Sequence, residues 1–181
     1  MTKHTEDSDM KIVGASKPGK EETFDVIELV EETKIQRFNG NRAKAKMLGS
    51  NIVSAFSYKS APDELMTLIK ENNVELTDEL LLQTKILTVF SAEFCLDSFL
   101  PSPMLSTVAV GELYDVLEDV DPELYEELSR STAFSFYYLC LKKEGCTSEE
   151  CIGEQFASMC GKKGDADYAA LGTALHIINV K

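Results

Sequence analysis

Four groups of residues in this chain have types and spacing suited to chemistry. The first is a carboxylate pair. Glu93 and Asp97 stand four apart in the longest apolar run, Leu80–Leu100, LLLQTKILTVFSAEFCLDSFL. At helical spacing both point the same way. Paired carboxylates in an apolar helix suit metal binding or proton shuttling. The helical di-metal proteins need a Glu three residues before a ligand His. This chain has two histidines, His4 and His176, and neither has one. A narrow solvated strip shared with Lys85 is the simpler expectation, since carboxylates are seldom buried unpaired. If a small molecule sits among the aromatic helices, Glu93, Asp97 and His176 are the residues expected to meet it with polar groups.

The second group is Cys140, Cys146, Cys151 and Cys160. Their spacing lacks the close pairs of zinc sites. Cys151 and Cys160 also fall nearly opposite on one expected helix, at about 100° per residue. With five cysteines in all, two of them in apolar runs, buried free thiols are expected, not a disulfide framework. A Cys/His nucleophile pair would need a thiol beside His176, and no nucleophile motif marks one. The third group, Asp119-Val120-Asp121 and Asp165-Ala166-Asp167, lacks the later ligands and glycine of a calcium loop and suits helix starts better.

The fourth is a basic segment. Thr33–Pro62 contains Lys34, Arg37, Arg42, Lys44, Lys46 and Lys59 with no acid, in a chain of net charge -13. Conversely, Glu112–Glu127 holds eight acids and no base. Arg37, Arg42, Lys44 and Lys46 flank Asn39-Gly40-Asn41, a turn before a helix start that can offer backbone N–H groups to an anion. No Walker or Rossmann glycine pattern surrounds it, and aromatics for base stacking are few. The basic segment is expected either to face acidic residues or to lie solvated, with phosphate or nucleic-acid binding as the alternative.

The elements that must position these residues read as helices. Thr77-Asp78-Glu79 is a cap followed by first-turn acids, and Pro101 forces an end near Leu100. Between them apolar residues point almost all round, so the helix should be buried on several sides. Lys85, Glu93 and Asp97 argue against a membrane span. Other helices are expected over 23–38, from Asn41 with Met47, Leu48, Ile52, Ala55 and Phe56 inward, and over 62–72. Further helices follow from Ser102 or Ser106 to about Asp119, from Asp121 to Glu144, from Thr147 to about Gly161, and from Asp165 to Asn179. The second apolar stretch, TAFSFYYLCL, is the expected partner of Leu80–Leu100, with Phe90 and Phe136 in the core. Its cluster Phe134, Phe136, Tyr137 and Tyr138 is the alternative wall of a small-molecule pocket.

The expected fold is therefore all-α: a single-domain bundle of about seven helices over 23–181 around a buried central helix, after a disordered tail at 1–22. MKIVG at 10–14 reads as a short strand at most. Nothing at the N-terminus resembles a signal peptide, so a cytoplasmic location is the default. Strong negative charge opposes general attraction to nucleic acid or anionic membranes. No catalytic residue, metal or cofactor is assigned. The expected function is a non-enzymatic interaction module docking through charged faces, with a protein partner or itself in a homodimer.

Overall fold

The structure is a computed structural model that describes residues 26–56, 63–143 and 145–180. The expected N-terminal tail and the strand at 10–14 lie outside these residues. The described residues form nine helices and no strand. They are α1 (Val26–Phe38), α2 (Asn41–Phe56), α3 (Asp63–Glu71), α4 (Asp78–Phe99), α5 (Pro103–Val120), α6 (Pro122–Arg130), α7 (Ala133–Cys140), α8 (Ser148–Met159) and α9 (Ala166–Val180). The all-α expectation holds. None of these helices is long and apolar enough to cross a membrane.

The helix starts are chemical. Thr77 Oγ1 accepts from Leu80 N, Ser102 from Met104 N, and Asp121 from Leu124 N, with Pro at the start of both α5 and α6. Thr147 and Glu150 form a capping box at α8. One expected helix is two. Ser131 leaves helical geometry at φ -74° and ψ 139°, and its hydroxyl accepts from Ala133 N. A serine offering its side chain to the backbone competes with the helix ladder. That separates α6 from α7.

α4 is the helix around which the rest pack. It touches α2, α5, α6, α7, α8 and α9. Leu80, Ile86, Leu87, Val89 and Phe90 are fully buried. Thr84, Thr88 and Ser91 are buried as well. Each gives its hydroxyl to the carbonyl four residues earlier, so these three hydroxyls are satisfied, whereas Gln83 Oε1 of the same helix is buried without a hydrogen-bond partner among the described residues. Phe90 sits among three rings of α7, with centroids 5.6 Å from Phe134, 5.0 Å from Tyr137 and 5.1 Å from Tyr138. The expected aromatic core exists, with two changes. α9, not α7, makes the most extensive contact with α4. Phe136 is 42% exposed, because α7 turns Phe134, Tyr137 and Tyr138 inward and leaves Phe136 on its outer side.

Two helix pairs approach closely through glycine. On α2, Ala45, Gly49 and Val53 form the buried stripe against α5. A Cβ at Gly49 would strike the Ala109 carbonyl oxygen. Met47 and Leu48, expected inside, are 64% and 40% exposed. Small residues permit a backbone approach that large ones would prevent, and the helix turns accordingly. α8 and α9 repeat the device: Gly153 lies against Ala169 and Thr173, and Gly172 against the Phe156 ring. On α5, Leu113 and Leu117 are buried, and Val120 at its end is 54% exposed.

The cysteines also depart from expectation. Cys140 and Cys151 are paired as a disulfide between the end of α7 and α8, with Cα atoms 5.4 Å apart. The sequence concealed this because neither residue looks unlike a buried thiol until α7 and α8 are packed. Cys95, Cys146 and Cys160 are free.

Candidate functional site

The basic segment is divided by packing. α2 lies on α5, whose outer turns are acidic, and Lys46 Nζ pairs with Glu112 at 2.8 Å. That contact is the intramolecular neutralisation the charge pattern allowed. Arg37, Arg42 and Lys44, with Lys34, are exposed and have no ion-pair partner among the described residues. Arg37 ends α1, and Gly40 at φ 70° turns the chain into α2. Asn41 donates to Gln36 Oε1 across that turn at 2.7 Å. The hairpin is tied to the body at its other end: Ser102 donates to Glu32, and Thr33 to the Met104 sulfur.

Between the free cations lie apolar side chains that the charge pattern did not reveal. Ile35 is 57% exposed and Phe38 92%, and Val30, Met47 and Leu48 are also open. Large apolar residues set singly on a surface are ordinary, but five on two adjoining helices, together with four exposed cations that have no ion-pair partner among the described residues, give the hairpin a mixed surface. The only signal for them was that α2 contains Ala45 and Gly49 at a spacing of four, which selects a different buried stripe from the one marked by residue size.

The carboxylates of α4 are only in part a solvated strip: Asp97 is exposed, whereas Glu93 is half-buried. Glu93 accepts from Tyr114 Oη at 2.6 Å and from Tyr138 Oη at 2.7 Å, one to each oxygen. It thereby joins α4 to α5 and α7. Burial, then the bond to Glu93, push both phenols well above their ordinary value, so they stay donors. Asp97 accepts from Ser106 of α5. Lys85 faces Asp121 at 2.8 Å. Burial alone would raise Asp121. The Lys85 and Leu124 hydrogen bonds, with the Lys85 charge, outweigh it and hold the carboxyl below its ordinary value.

His176 lies on α9, buried, with ring centroids 6.1 Å from both Phe90 and Phe94. Ser91 Oγ is 2.9 Å from its Nδ1 and 2.9 Å from the Leu87 carbonyl oxygen. A hydroxyl has one proton, so a Ser91 bonded to Leu87 accepts from Nδ1–H. That tautomer is opposite to the one a general base needs at Nδ1. Burial also lowers the imidazole pKa, against a small opposing effect of Glu149. Glu93, Asp97 and His176 thus each have partners from different neighbours: tyrosines of α5 and α7, a serine of α5, and a serine of α4. Burial pushes Cys160 up to about 12, with Glu79 adding, so it is a poor thiolate. Among the described residues, no group of three or more His, Cys, Asp or Glu is placed to hold a metal ion.

A groove of about 980 Å³ opens elsewhere, over α8 and α9 beside α7. Phe136, Cys146, Met159, Ala169, Ala170 and Thr173 line it. No family model, curated protein or solved structure matches this chain.

Proposed function

We propose that the chain is a non-enzymatic interaction module whose α1–α2 hairpin binds an acidic, apolar-bearing segment of a protein. The observation behind this reading is the mixed face itself. Lys34, Arg37, Arg42 and Lys44, with no ion-pair partner among the described residues, share the hairpin with exposed Ile35, Phe38, Met47 and Leu48. Cations give steering and register, while apolar anchors give most of the affinity. A phosphate backbone would use the cations and leave the anchors idle.

The test is a titration of the full chain with a synthetic amphipathic helix rich in Leu, Phe, Asp and Glu, read by backbone amide shifts. Phe38→Ser should weaken binding roughly tenfold or more, the loss of about 1.5–3 kcal/mol of apolar burial. Arg42→Glu with Lys44→Glu should weaken it too. A peptide that binds both variants as well as the wild type overturns the assignment. Single-stranded RNA that binds Phe38→Ser normally, fails on the charge reversal and is lost steeply with salt would establish the phosphate alternative instead.

A further inference from the structure

We propose that the partner of the α1–α2 hairpin is a second copy of this chain, which seats the hairpin in the groove between α8 and α9. This rests on the hairpin reading above and names its occupant. The two surfaces are opposite in charge. The exposed charged residues lining the groove are Glu150, Glu154 and Asp165 against a single Lys163. The hairpin presents Lys34, Arg37, Arg42 and Lys44, all exposed, against an exposed Glu31 and a half-buried Glu32. They also match in shape. Phe38 projects at the tip of the hairpin, 92% exposed. The groove of about 980 Å³ is lined by the small residues Ala166, Ala169 and Ala170 as well as Phe136 and Met159, space and apolar surface for an aromatic ring. Within one chain the hairpin packs on α5, while the groove is formed by α8 and α9.

The two patches differ, so the contact is heterologous. Each copy gives a hairpin to one neighbour and a groove to another, and the assembly closes into a ring or runs on according to its rotation. Charge steers the encounter and makes it salt-sensitive.

The experiment is sedimentation of the full chain. The wild type should gain mass between about 1 and 100 µM at low salt, the range in which weak interfaces are populated. Two variants block one side each. Arg42→Glu with Lys44→Glu disables the hairpin, and Glu154→Lys with Ala170→Lys fills and recharges the groove. All four positions are exposed and outside the caps, and circular dichroism checks the fold. Each variant alone should stay monomeric. Their equimolar mixture should form a discrete heterodimer, since one intact hairpin and one intact groove remain. A monomeric wild type overturns the proposal, as does an oligomer that survives either variant or a mixture that stays monomeric. Peptide binding at α1–α2 by a monomeric wild type would overturn self-docking alone and leave the hairpin reading standing.

Discussion

Glu93→Ala is expected to destabilise the fold by about 2 kcal/mol, because it strands two phenol hydroxyls at once. The carboxylate accepts from Tyr114 at 2.6 Å and from Tyr138 at 2.7 Å. A hydrogen bond to a charged group contributes about 1.5–3 kcal/mol when desolvated. Glu93 and both tyrosines are only half-buried. Water therefore replaces part of each lost bond, and about 1 kcal/mol per hydroxyl is the discounted figure. Tyr114→Phe and Tyr138→Phe should each cost about that much. With both tyrosines replaced, Glu93 has nothing to hold, and Glu93→Ala should then cost under about 0.5 kcal/mol. Urea unfolding followed by circular dichroism, with a shared m-value, measures the wild type and all five variants. An alanine cost unchanged in the double-phenylalanine background would refute the clamp, since the carboxylate would then be acting on something other than the two rings.

Other outcomes follow from packing and titration. Phe90→Ala should cost about 3–5 kcal/mol, while Phe136→Ala, on the open side of the same aromatic cluster, should cost about 1 kcal/mol or less in the same urea assay. Gly153→Ala should destabilise by about 1–3 kcal/mol through collision with the Ala169 carbonyl and Thr173, whereas Gly111→Ala, with open space around it, should stabilise by about 0.5–1 kcal/mol. The His176 pKa is lowered in the fold from its ordinary 6.5, so unfolding takes up a proton at low pH. Its stabilisation is complete above pH 6.5 and is lost as pH falls through the folded value; the stability gap between wild type and His176→Gln should narrow from pH 8 to pH 5.

Helix ends were the most legible part of the chain, because caps act through nearest neighbours. Thr77, Ser102, Asp121 and Thr147 do locally what their types suggest. The buried helix α4 was legible for a similar reason: apolar residues all round leave it nowhere else to go. Faces were harder. Residue size marks Met47 and Leu48 as core, yet Ala45 and Gly49 decide the packing of α2, because close backbone approach to α5 is a property of two helices together. Long-range partners were hidden altogether. Nothing near Glu93 in sequence points to Tyr114 or Tyr138, and nothing near Cys140 points to Cys151. The charge separation was plain, but the exposed Phe38 beside it was visible only once α1 had a buried side.

The two glycine-packed pairs differ in how much chain must be closed to make them. α8 and α9 adjoin in sequence, so their contact costs little loop entropy. α2 meets α5 only after α3 and α4 have been laid down between them. Local contacts form early and nonlocal ones late. The α8–α9 hairpin is thus the natural first unit to close, and α1–α2, whose contact with α5 is made across a long excursion, is expected to close later and open earlier. Amide exchange should be fastest there for the same reason. A ligand seated on α1–α2 would draw on that opening equilibrium directly, slowing exchange in the hairpin before it changes the protection of α4 or α9.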